Sequence, residues 1–228
     1  MNKRVYNKAV GKIFRTLGFL FILAVSLIVT AALIVNSGVS FLAFAEPMAS
    51  QALALVPAVM LDYLGLGLLV GWLFLIWAIR RGVFLRVLVT VVLLVVFVLD
   101  TYNADAFFTL LPMSSPSWMD AVFNAIASPI NQLLAISNWI PAGVSLLAVM
   151  LLWGVFANAR PKRFSIFFIR VATITLFFGV VAFGLKANLT SAFVQATWFD
   201  LILGVCYILS FGLIAFGSAF GVIGFYRK

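Results

Sequence analysis

The sequence predicts an all-α integral membrane protein with six transmembrane helices, both termini cytoplasmic, and an amphipathic interfacial helix in the long outer loop. Three observations predict it. The chain is 65% hydrophobic and 9% charged, with a mean hydropathy of +1.23. Soluble domains lie near about 45–50% apolar and about 25% charged, so that composition excludes a soluble fold. The apolar residues gather into six runs of helical length, and the basic residues alternate with those runs so that nearly all fall on one side.

A bilayer core about 30 Å thick takes roughly 20 apolar residues per helix. The six runs are Leu17–Val35, Val59–Ile79, Val83–Leu99, Ile140–Ala157, Phe164–Leu185 and Phe199–Phe225. Barrel strands would instead show segments of about ten residues with alternating polarity, so the runs are predicted to be helices. Together they make one membrane domain over residues 1–228, with outer loops at 36–58 and 100–139. Ala43-Phe44-Ala45, after the first run, has the small-x-small form of a signal cleavage site. The run before it exceeds the roughly 7–15 residues of a signal's apolar region, which predicts a retained first helix.

Charge sets the orientation. Lys3, Arg4, Lys8, Lys12 and Arg15 precede the first run, and Arg80, Arg81 and Arg86 join the second and third. Arg160, Lys162, Arg163 and Arg170 join the fourth and fifth, and Arg227 and Lys228 close the chain. With six spans these fourteen of the fifteen basic residues share one side, leaving Lys186 opposite. The six acids Glu46, Asp62, Asp100, Asp105, Asp120 and Asp200 all belong to the other side. By the positive-inside rule both termini are expected in the cytoplasm, N-in and C-in, in a plasma or bacterial inner membrane. Trp77, Trp153 and Tyr226 fall near the cytoplasmic ends, and Trp118, Trp139, Trp198, Tyr63 and Tyr102 near the outer ends, as interfacial aromatics do. The pI near 10.2 is thus a topology signal and does not imply nucleic acid as a partner.

Each inside-to-outside helix opens on two apolar residues, an arginine and a β-branched residue: Ile13-Phe14-Arg15-Thr16, Phe84-Leu85-Arg86-Val87 and Phe168-Ile169-Arg170-Val171. Arg15, Arg86 and Arg170 are shallow enough to reach back to the headgroups, so they are expected to hold anionic lipid phosphates on the cytoplasmic face or to contact a partner protein.

The outer loops carry the remaining predicted structure. Glu46-Pro47 predicts a helix start with proline in the first turn, running toward Val56 and broken at Pro57. Ser117, with Asp120 three residues on, predicts the start of the amphipathic helix. Met119, Val122, Phe123, Ile126, Ile130, Leu133 and Leu134 recur at helical spacing along it, and Pro129 is expected to kink it. Asn188-Leu189-Thr190 has the form of a glycosylation acceptor, but the short loop favours a turn role.

Few residues suit chemistry. The chain has no histidine, which removes the commonest general base and metal ligand. Its one cysteine, Cys206, sits mid-helix and cannot form an intramolecular disulfide or a thiolate cluster. Asp62 is the most membrane-embedded acid and the candidate ion site, at the outer edge of the second run. Lys186 and Asp200 flank the last outer turn and are expected to pair. Gly67 and Gly71, and then Ser210, Gly217, Gly221 and Gly224, lie on small-residue faces suited to helix packing within the bundle or against another subunit. No cofactor is expected and no enzyme. The expected function is a non-catalytic membrane subunit or scaffold of a larger membrane or envelope assembly, with other membrane subunits as partners. The alternative is a small transporter or channel component using Asp62 or the outer-face acids.

Overall fold

The computed structural model describes residues 3–36, 40–78, 83–102, 117–137, 139–158 and 163–223, and among them every regular element is helical. Helix α1 (Lys3–Asn36) is longer than the first apolar run by the whole basic segment before it. Lysine and arginine are good helix formers, so the helix continues through them to a length of about 51 Å. A single 3-10 turn (Ser40–Leu42) leads to α2 (Glu46–Ala54), which starts with its proline in the first turn.

The second apolar run is not one helix. Residues Ala58–Leu61 form a short α3, Asp62 and Tyr63 turn, and α4 runs over Leu64–Ala78. The Tyr63 N–H donates back to the Met60 carbonyl at 3.1 Å, and the helix restarts where the Gly67 N–H donates to the Tyr63 carbonyl at 2.8 Å. An aspartate competes for backbone groups and disfavours a helix interior, so the expected continuous span from Val59 to Ile79 is interrupted there. Helix α4 is about 22 Å long.

Helix α5 covers Val83–Tyr102, α6 Ser117–Ile136, α7 Ile140–Asn158, α8 Arg163–Asn188 and α9 Thr197–Ile223. Helix α6 begins at Ser117 and runs on through Pro129, with Asn124, Ser128, Asn131 and Gln132 exposed. The apolar side chains predicted for its other face lie outside the described residues. Among the described residues three helical stretches are long and apolar enough to cross a membrane: Val10–Asn36, Phe164–Asn188 and Thr197–Ile223. Leu64–Ala78, Val83–Val95 and Ala142–Phe156 are shorter apolar stretches.

The helices pack as a ring: α1 on α4, α4 on α5, α5 on α7, α7 on α8, α8 on α9, and α9 back on α1. Helix α4 also reaches across to α7. One core cluster draws on all six: Phe19 and Ile22 of α1, Trp72 and Leu75 of α4, Leu93 of α5, Phe156 of α7, Ile169 and Ala172 of α8, and Ile214 of α9. Phe156 stacks on Phe19 at 6.2 Å and meets Trp72 at 5.7 Å, tying α7 across the ring to α1 and α4. A second cluster lies toward the other end, where Val29 and Leu33 meet Leu176, Val180, Leu203, Tyr207 and Phe211. Leu42, Leu53 and Leu61, from the turn, α2 and α3, pack against that cluster and roof the end away from the termini.

Candidate functional site

Two features gather the residues singled out by sequence: the glycine seams between helices and the basic end of the bundle. The seam between α1 and α4 is the closest. A Cβ on Gly71 would stand 2.8 Å from the Ile22 side chain and 3.2 Å from the Gly18 carbonyl oxygen. One on Gly67 would stand 2.8 Å from Val25. Gly18, which sequence reasoning did not single out, reciprocates at 2.9 Å from the Gly71 carbonyl oxygen and the Leu75 side chain. The Gly18 and Gly71 backbones therefore approach closely here, with neighbouring side chains packed onto the glycines, the geometry that small residues permit in a bilayer.

The small face of α9 is divided between two neighbours. A Cβ on Gly217 would lie 2.6 Å from Ile169 of α8, whereas one on Gly221 would lie 2.9 Å from the Phe19 ring of α1. Ser165 strengthens the α8 side by donating its hydroxyl to the Gly217 carbonyl at 2.6 Å. Further along, Ser210 donates to the Cys206 carbonyl at 2.5 Å, and Thr175 of α8 meets its oxygen at 2.8 Å. Thr175 likewise reaches the Ala172 and Val171 carbonyls of its own helix, at 2.9 and 3.2 Å, so each hydroxyl has a backbone acceptor and either can donate across the seam. Gly224 lies outside the described residues.

Neighbouring seams follow the same rule. Gly184 of α8 is 2.8 Å, at its Cβ position, from the Ala142 Cβ of α7, and Gly179 is 3.3 Å from the Cys206 Cβ. Cys206 is thereby a half-buried packing contact of α9.

The basic end is where α1 begins, α4 stops and α8 starts. Gly11 of α1 faces the Ala78 carbonyl that ends α4, and Phe164 of α8 meets Phe220 of α9 at 6.4 Å. Arg15 and Arg86 are half-buried here, while Arg170 is exposed. The three are spread over α1, α5 and α8. Among the described residues the buried Arg86 Nε has no hydrogen-bond partner. Arg170 instead sets its guanidinium 5.7 Å from the Trp153 ring centre of α7, a cation–π distance. Arg80, Arg81, Arg160, Lys162, Arg227 and Lys228 lie outside the described residues, as does Asp105.

Glu46, Asp62, Lys186 and Asp200 mark the opposite end. Asp62 is half-buried in the turn that separates α3 from α4. Lys186, in the last turn of α8, pairs with Asp200 in the first turn of α9. Around them, Asn188 donates its amide to the Gly184 carbonyl at 2.8 Å, and Gln195 donates to the Lys186 and Leu189 carbonyls at 3.1 and 2.9 Å. Side chains thus satisfy the carbonyls that a helix end leaves open. Asn188 takes part in this turn.

No known protein-family model, curated protein or solved structure matches the chain.

Proposed function

We propose that this chain is a non-catalytic, multi-pass membrane subunit or scaffold of a larger membrane or envelope assembly, such as a secretion or conjugation machine or a multi-subunit membrane complex. In this reading all six apolar helices cross the bilayer, the shorter ones with the three long ones. The basic end faces the cytoplasm, so both termini are inside, and the membrane is a bacterial inner membrane. Its partners are other membrane subunits and the anionic lipids of the cytoplasmic leaflet.

The observation that carries the reading is the shared core. Side chains from six helices fill the centre of the ring, and among the described residues the buried polar side chains are serines and one threonine. Ser165, Thr173 and Ser210 donate to helix carbonyls, and Ser26, Ser145 and Ser218 have no hydrogen-bond partner among the described residues. A transporter is built on polar or broken helices near the midplane. Here the break falls at Asp62, at one end of the bundle.

The test is purification of the full chain in mild detergent from its native membrane, followed by native mass spectrometry. A partner chain in fixed stoichiometry is the expected result, and Asp62→Asn should leave both that complex and the deletion phenotype rescued. Loss of rescue by Asp62→Asn at normal abundance, with no partner present, would move the function to ion-coupled transport.

A further inference from the structure

Between α7 and α8 the ring opens outward into a groove of about 380 Å³, lined by Val149, Met150, Trp153, Thr173, Ile174 and the Phe177–Phe178 pair. Resting on the membrane reading above, we propose that this groove holds one acyl chain of an anionic phospholipid whose phosphate is bound by Arg170, making a retained lipid site at the basic end of the bundle.

The groove has a floor, walls and a charged mouth. Val149 and Thr173 form the floor, 2% and 5% exposed. Thr173 donates its hydroxyl to the Ile169 carbonyl at 2.6 Å, which spends its only proton inside α8 and leaves an apolar floor. Met150, Ile174 and Phe178 are the walls, 61%, 48% and 60% exposed. At the far end α7 and α8 close up where Gly184 meets Ala142. Arg170, Ile174 and Phe178 follow one another at four-residue steps and so lie along one face of α8. From Arg170 to Phe178 that face runs about 12 Å, the start of an acyl chain measured from its headgroup.

Arg170 is placed for a phosphate. Its guanidinium rests by the Trp153 ring, on an exposed residue of α8. A guanidinium held against a ring keeps its in-plane N–H groups free for a bidentate oxyanion. The charge at the mouth complements an anionic headgroup, and the apolar walls complement its chain. A helix from another protein fits less well, because the close α1–α4 and α8–α9 seams of this bundle are built on glycines, whereas the groove's rim is Met150, Ile174, Phe177 and Phe178.

The experiment is native mass spectrometry of the full chain released from nanodiscs containing equal phosphatidylglycerol and phosphatidylcholine. Wild type should retain one phosphatidylglycerol in preference to phosphatidylcholine. Arg170→Gln should reduce that preference about fivefold, the contribution of one arginine at an anionic surface. Ile174→Trp, which fills the groove from its wall, should reduce retention of both lipids. Equal retention of the two lipids by wild type would overturn the proposal without reference to any variant. So would an unchanged preference in Arg170→Gln. A dimer, or another protein, that is lost in Ile174→Trp while the lipid count stays constant would assign the groove to a protein partner instead.

Discussion

At Gly71 one methyl group is already too large, since its Cβ would sit 2.8 Å from Ile22. Gly71→Leu should therefore destabilise the protein by about 1–3 kcal/mol, read as an earlier unfolding midpoint in detergent. Gly143→Ala is the control, because a Cβ there meets nothing within 4 Å. It should be neutral or stabilising by up to about 1 kcal/mol, the helix-propensity difference. Equal losses in both variants would show that the α1–α4 crossing is not the cause. Gly221→Leu belongs to the same scale: its new side chain would enter the Phe19 ring. The monomer itself should melt earlier, whereas normal melting with a lost partner would place that seam between subunits. Ser165→Ala removes the bond to the Gly217 carbonyl and should cost on the order of 0.6 kcal/mol, the average for interhelical bonds in lipid.

The turn from α8 to α9 is the element whose pairing the sequence announces most directly, through the lone outer lysine and the acid at the next helix start. The Lys186–Asp200 pair is solvent-accessible, with side chains 28% and 55% exposed. A double-mutant cycle on the two should give a coupling of about 0–1 kcal/mol that shrinks with added salt. A larger coupling insensitive to salt would mean that the turn is buried against something else. Other elements were legible for equally local reasons: Glu46-Pro47 opens α2, and Ser117 opens α6. The break at Asp62 was not, because a hydropathy run averages over one acid and does not register a local turn. Gly18 was missed because its partner, Gly71, stands on another helix and α1 has no small residue four positions away. The signal present was the seven-residue step from Gly11 to Gly18, which puts both against α4. The groove beside Arg170 was invisible for a similar reason: periodicity says nothing about which helices diverge.

Across the whole molecule, the ring gathers what the chain separates. Arg15, Arg86 and Arg170 come to one end on three helices, and Glu46, Asp62 and Asp200 to the other. The order of helices around the ring follows from side-chain fit, such as Phe156 between Phe19 and Trp72, and hydropathy carries no record of it. The central claim is that this polarity is the polarity of the membrane, with the basic end inside. Cysteine accessibility tests it most directly. In a Cys206→Ala background, Ser191→Cys at the exposed α8–α9 turn and Arg160→Cys at the junction of α7 and α8 are treated in intact cells with a membrane-impermeant maleimide. The account predicts labelling of Ser191→Cys alone, with Arg160→Cys labelled only after the cells are opened. Labelling of Arg160→Cys in intact cells, alone or together with Ser191→Cys, would contradict it.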